Sequence, residues 1–189
     1  MSKQLGDVAW PVSTERLTLR RARADDADAV LSYRCLPGVS EWIGAPPEDF
    51  PARFAAPERL DLLLIVERAG AIIGDLMVKV VDAWVPAKVV SEGRGVQAEL
   101  GWALRPEDTG KGYATEAVEA VLRICFEHVG LRRVTASCFA ANTASYRLME
   151  RVGMRREGRT VQDALHPSGA WMDGYSYALL AHEWRAHHP

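Results

Sequence analysis

Six consecutive residues, Thr109-Gly110-Lys111-Gly112-Tyr113-Ala114, have the make-up of a phosphate-binding turn. Gly110 and Gly112 let the backbone approach a ligand with no Cβ in the way. The free N–H groups of a helix that begins at Gly112 then point at whatever lies there, with Lys111 adding charge. A plain turn joining two elements is the alternative. The stretch is not a Walker A loop, because the four-residue spacer and the trailing Lys-Ser/Thr are missing. Nor is it the three-glycine dinucleotide fingerprint. Upstream, Glu99 is a carboxylate of the kind that takes a proton from an ammonium, or an ordinary strand-surface acid. Asn142 stands where a helix starts, and capping alone would explain it. Cys138 could carry an acyl group as a thioester. Its place on a strand face, with no His nearby in sequence, suits a buried structural thiol better.

The elements that must hold these groups follow from periodicity. Val96 to Leu104 alternates, with Ala98, Leu100, Trp102 and Leu104 on one face and Gln97, Glu99, Gly101 and Ala103 on the other, which is a strand. Arg105-Pro106 ends it, since Pro106 cannot donate to a ladder. The helix after the turn puts Ala114, Ala117, Val118, Val121 and Cys125 on one face, with Leu122, Phe126 and Val129 beside them. Thr115 and Glu116 suit its positive end, and Gly130 stops it. Arg132 to Phe139 reads as the next strand, and Thr143 to Val152 as a second helix capped by Asn142 and stopped by Gly153.

Around this centre, Glu15 to Arg23 reads as a first strand and Asp26 to Arg34 as a helix broken by Pro37-Gly38. Short helical pieces from Val39 to Pro57 carry Trp42, Phe50 and Phe54, which pack over a sheet. Asp61 to Glu67 and Ala71 to Val81 form a hairpin, in which Gly74 marks a bulge or a close approach. Asp82 to Gly95 is a longer loop beside the site. Arg155 to Asp163 and Trp171 to Leu180 form a terminal pair of strands. Residues 1–13 read as a loose lead-in, and the histidine-bearing end, His182 to Pro189, as a solvated tail without metal spacing.

The whole chain of 189 residues is expected to be one α/β domain. Its apolar content of 48% and charged content of 25% are those of an ordinary globule, and its net charge of -2 offers no case for nucleic acid. Cys35, Cys125 and Cys138 make no CxxC pair, which suits a reducing compartment. No apolar run reaches the roughly 18 residues of a membrane span, and no signal core opens the chain. A cytoplasmic location is expected.

ELGWALRPEDTGKGYATEA at Glu99 to Ala117, followed by NTASYRLMERVGMRREG at Asn142 to Gly158, resembles the GNAT superfamily of acyl-CoA-dependent N-acyltransferases. Within it the likeness is to the Rim-type branch, which acetylates N-termini of ribosomal proteins. TERLTLRRARADDADAV at Thr14 to Val30 and WMDGYSYALLAHEW at Trp171 to Trp184 extend it over nearly the whole chain. The resemblance implies a GNAT fold: a mixed, twisted sheet of about six or seven strands with helices on both faces. It implies acetyl-CoA as co-substrate, no metal, and a primary amine as acceptor. Pyrophosphate would lie on Thr109 to Ala114. Pantetheine would pair with Trp102, Ala103 and Leu104 where that strand splays from its neighbour, and Asn142 would touch the pantetheine. The base would be Glu99, directly or through water. Ser145 would return a proton to the thiolate, and Trp42 would touch the acceptor from a lid. The sequence departs from the family at Thr109, where Gln or Arg is usual, and at Met149, where many members have a Tyr that donates the proton.

The acceptor implied is a peptide or protein N-terminus. The same scaffold serves aminoglycosides, polyamines and amino acids, so fold does not choose. A non-catalytic acyl-CoA-binding regulator would bind CoA without turning over any amine. The terminal strands offer edges for pairing in a homodimer.

Overall fold

The computed structural model describes residues 5–188. Its sheet has eight strands in the order β1-β2-β3-β4-β5-β6-β8-β7. These are β1 (Val12–Ser13), β2 (Thr18–Arg21), β3 (Leu63–Arg68), β4 (Ala71–Val81), β5 (Gln97–Leu104), β6 (Arg133–Phe139), β7 (Arg155–Leu165) and β8 (Trp171–Leu180). Every neighbouring pair is antiparallel except β5 and β6, which run parallel. That one parallel pair needs a helical crossover, and the amphipathic stretch after Gly112 supplies it.

The crossover is α5 (Tyr113–Arg123), continued by a wide π-type turn over Ile124–Val129 and ended by Gly130 at φ 80°. Its apolar stripe, Ala117, Val118, Val121, Leu122, Cys125 and Phe126, is buried against Leu100, Val134 and Ala136 of the sheet. The second helix on this face is α6 (Thr143–Arg151), whose start is capped by the Asn142 side chain accepting from the Ser145 amide at 3.0 Å. The other face carries α1 (Ala27–Arg34), α2 (Pro37–Ile43), α3 (Phe50–Phe54) and α4 (Pro57–Leu60). Val30, Tyr33, Phe50 and Phe54 pack there on Leu63, Ile65 and Ala103. Phe50 and Phe54 thus cover the sheet as their aromatic character predicts.

Gly74 on β4 is a close approach. A Cβ there would lie 2.4 Å from the Ala103 carbonyl oxygen of β5. The missing side chain keeps β4 tight on β5 to the last residue of β5, and Gly74 also borders a bulge, since Val66 pairs with Gly74 and Glu67 with Ile72, leaving Ile73 of β4 as the extra residue.

Three expectations need correction. The sheet has eight strands, not six or seven, because Val12–Ser13 of the supposed loose lead-in pairs with β2. Leu5 is buried and the Trp10 indole donates to its carbonyl at 3.0 Å, so the described part of that lead-in is packed; its first four residues lie outside the described ones. The tail is helix α7 (Ala181–His187) rather than a loose end, although its histidines His182, His187 and His188 are exposed as expected. One aromatic residue decides this. Trp184 is 1% exposed, stacks on Phe126 at 5.8 Å and donates to Glu127 at 2.9 Å. Pro189 lies outside the described residues. Finally, residues 82–95 sit at the start of β5 rather than beside its end, since Val81 pairs with Gln97. Among the described residues no helix is long and apolar enough to cross a membrane.

Candidate active site

The parallel pair β5–β6 comes apart. Its register runs from Gln97↔Arg133 to Leu100↔Ala136 and stops. β5 nevertheless stays paired to β4 as far as Leu104, and β6 to β8 as far as Phe139. Gly101 to Leu104 and Ser137 to Phe139 therefore face each other across a wedge with ladder groups unused on both sides. Buried backbone groups do not stay unpaired in a working protein. A wedge of this kind accepts an extended chain as an added strand.

The wedge opens into a cavity of about 1370 Å³. The turn and the start of α5 close one end through Thr109, Gly110, Gly112, Tyr113, Ala114 and Thr115. Asn142, Ser145 and Leu148 of α6 form one wall, and Val39, Trp42 and Ile43 of α2 face it from the other layer. Of the residues singled out in the sequence, Trp42, Trp102, Ala103, Leu104, Thr109, Gly110, Gly112, Tyr113, Ala114, Asn142 and Ser145 all line this one space. Glu99 and Lys111 do not.

At the turn, the amides of Gly110 to Thr115 donate to no described residue; the first bond of the helix is Glu116 N–H to the Gly112 carbonyl at 3.1 Å. Gly110 and Gly112 have φ of 72° and 82°, the left-handed region that turns these amides outward. Thr109 does not reach out. Its hydroxyl donates back to the Pro106 carbonyl at 2.7 Å and closes the short turn before it. Lys111 leans toward Asp108, 3.8 Å away.

A second cation at this turn is one the sequence did not suggest. Arg16 lines the cavity, donates to the Lys111 carbonyl at 3.1 Å and to Glu116 at 2.6 Å, and lies 4.8 Å over the Tyr113 ring. Arg68 lies 5.1 Å over the same ring, so two guanidinium groups contact Tyr113. Arg147 and Arg151, one helical turn apart on α6, line the same end, and Arg151 donates to Thr115 at 2.9 Å.

Glu116 ties this end to the N-terminal strands. It accepts from the Thr14 hydroxyl at 2.5 Å, from the Arg16 amide at 2.8 Å and from the Arg16 guanidinium. Burial pushes its carboxyl up, but the bonds from Thr14 and Arg16 outweigh it and hold the carboxyl below its usual range. A group with a lowered folded pKa stabilises above its unfolded value and loses that contribution as pH falls through the folded one. The Tm advantage of wild type over Glu116→Gln is therefore expected to be complete above about pH 4.3 and to shrink below it. A difference that stays constant from neutral to strongly acid pH would contradict this.

At the reacting end, burial raises the pKa of the Cys138 thiol, and Ser145 opposes this only in part. Cys138 remains a neutral thiol, a poor nucleophile. Met149 is fully buried in the core and offers no proton. Glu99 is exposed, on the face shared with Gly101 and Ala103, opposite Thr135 of β6 and Lys79 of β4. It stands two residues before Gly101, about 7 Å along the strand.

Other lining residues were missed by the sequence. Asp163 is the acidic side chain at the β7–β8 end, beside Thr160, Gly174 and Tyr175. Phe139 and Trp42 both pack on His166, with centroids 5.1 and 5.9 Å away. His166 accepts from the Ser168 amide at Nδ1, and its buried Nε2 has no partner among the described residues. Among the described residues no group of His, Cys, Asp and Glu is arranged to hold a metal ion.

A family model described as an acetyltransferase (GNAT) domain matches residues 16–155. An uncharacterised N-acetyltransferase of Bacillus subtilis (strain 168), YnaD, is 32% identical over 176 residues, covering 92% of this chain and 98% of that one. Among solved structures, a GNAT-family acetyltransferase from Bacillus anthracis superposes with a TM-score of 0.76 at 30% identity, covering 91% of this chain and 99% of the other. The ribosomal-protein-S5-alanine acetyltransferase of Vibrio fischeri shares the fold, with a TM-score of 0.74 at 20% identity over 94% of this chain and 99% of that one.

Proposed function

The chain belongs to the GNAT acetyltransferase family, and from that premise we propose that it moves the acetyl group of acetyl-CoA to a peptide or protein N-terminal amine by direct attack. The observation that carries this reading is the β5–β6 wedge, opening beneath a glycine turn whose amides are free.

The residues present fit the co-substrate. The amides of Gly110 to Thr115, with Arg16 beside them, hold a pyrophosphate. The open edge of β5 from Gly101 to Leu104 pairs with the amides of pantetheine, and Asn142 and Leu148 border the same channel. A backbone N–H of that edge polarises the thioester oxygen as charge develops on it. Glu99 takes a proton from the acceptor's ammonium by way of water, since it stands before the wedge and not in it, and the neutral amine then attacks the thioester. Ser145 returns a proton to the departing sulfur. The neutral Cys138 argues for direct transfer over an acetyl-cysteine intermediate. The unit is a single domain, at home in the cytoplasm.

Ser145→Ala is expected to lower kcat by about 10²-fold, the low end of what a positioned acid contributes, with KM for acetyl-CoA unchanged. Unaltered kcat would hand the proton to Tyr175, whose phenol also lines the cavity, or to water.

A second reading, a small cationic amine as acceptor, is favoured by Asp163 and the rings of Trp42 and Phe139 at the acceptor end. Free-thiol release with a panel of peptides, spermidine, aminoglycosides and amino acids separates the two. Turnover confined to peptides with a free N-terminus supports the first. Turnover confined to polyamines or aminoglycosides supports the second, and CoA binding without turnover on any amine would leave a regulator.

A further inference from the structure

A second cavity of about 210 Å³ lies behind α2, on the side away from the wedge. It is walled by the connection Gly44 to Pro47, by Phe50 and Phe54, and by three guanidinium groups, Arg34, Arg53 and Arg59. Ile43 lines this cavity and the acetyl-transfer cavity alike, so α2 is their common wall.

The three arginines are not equally occupied. Arg34 is bound through Nε and Nη2 to Asp75, which is 1% exposed and also accepts from Tyr33, leaving Nη1 of Arg34 free. Arg53, whose side chain is 69% exposed at the rim, gives Nε to Asp49 at 2.9 Å, and its terminal nitrogens bond no described residue. Half-buried Arg59 makes no side-chain hydrogen bond or ion pair with any described residue. Burial, then the charge of Arg34, pull its pKa below the ordinary value, with Asp75 opposing. Asp75 offsets Arg34 and Asp49 offsets Arg53, so the charge of Arg59 is the one left over. A guanidinium held half out of water beside another, with no counter-charge of its own, is costly unless something neutralises it.

The geometry points to a binding site for a compact oxyanion, a phosphate or carboxylate group, between Arg34, Arg53 and Arg59. The volume falls below the roughly 300 Å³ at which pockets for drug-sized ligands begin, so the occupant is small. Planar guanidinium forks match two- and three-oxygen anions, and apolar Phe50 and Phe54 close the rest. The group comes either as a free ion or as an acidic group carried by the acceptor across α2. In either case it fastens the segment that carries Trp42.

Inorganic phosphate is the probe. Because phosphate would also meet the glycine turn, the titration is followed at Gly44 and at the Arg59 Nε–H in proton–nitrogen correlation spectra, on wild type, Gly112→Val and Arg59→Gln. Saturable shifts are expected in wild type and in Gly112→Val. Arg59→Gln should weaken binding about tenfold or more, the loss of one charge-assisted bond, and Arg59→Lys should restore part of it. Absence of shifts at Gly44 in folded wild type would overturn the site. So would equal binding by Arg59→Gln. Phosphate competing with the acceptor in steady-state kinetics would identify the oxyanion as the acceptor's own; phosphate binding without competition would identify a free ion. Because the readout survives loss of the glycine turn, failure of this site and failure of the acetyl-CoA reading are told apart.

Discussion

Glu99→Gln is expected to lower kcat by about 10²–10⁴-fold, the range a positioned general base supplies, with the affinity for acetyl-CoA unchanged. The substitution keeps shape and removes only the capacity to take a proton. Glu99 lies on the face of β5 shared with Gly101 and Ala103, paired by register with Lys79 and Thr135 and exposed to solvent. It touches none of the wedge, so cofactor binding has no reason to respond. It stands about 7 Å along the strand from Gly101, so water must relay the proton, and that relay is the assumption the variant tests. Asp163→Asn is the paired measurement, because Asp163 does line the cavity. Full turnover by Glu99→Gln together with a collapse in Asp163→Asn would move the base to β7. Full turnover by both would mean the amine arrives already neutral.

Gly112→Val is expected to weaken acetyl-CoA binding by about 100-fold or more, with the fold retained. Gly112 caps α5 at φ 82°, and a Cβ there would stand 3.3 Å from Arg16 Nη2. A β-branched residue in that region is a steric outlier costing about 1–3 kcal/mol. The turn relieves the strain by moving, and the amides of Gly110 to Thr115 move with it. Two lost charge-assisted bonds at about 1.5 kcal/mol or more each account for the expected factor. Tyr113, the next residue, is already buried in the core, so the strain is expected to lower Tm by a few degrees while the rest of the α5 stripe stays packed. Equal affinity for acetyl-CoA, measured by calorimetry, would mean the turn does not hold the pyrophosphate.

Local features of the site were legible in the sequence and long-range ones were not. Gly110 and Gly112 stand out because residue type alone sets a left-handed turn. The stripe of α5 and the cap at Asn142 are likewise local. The splay is not, because no residue in Gly101 to Leu104 signals it. It exists because pairing of β5 with β6 stops at Leu100↔Ala136 while each strand keeps its other partner. Gly74 was visible as an anomaly, but its meaning, room for the Ala103 carbonyl, required the register. Arg16 escaped notice because it reaches the Lys111 carbonyl across 95 residues. Asp163 did so because β7 enters the cavity only through its pairing with β8. The C-terminal helix was hidden by composition: three histidines and a proline look like tail, and only the burial of Trp184 against Phe126 shows otherwise.

Calorimetric titration of the wild-type protein with acetyl-CoA, beside ATP and NAD, tests the central claim most directly. Micromolar one-to-one binding of acetyl-CoA, with neither nucleotide binding comparably, is the result predicted by free amides set above an open strand edge. A folded protein that binds no acetyl-CoA would contradict it, and the wedge between β5 and β6 would need another occupant.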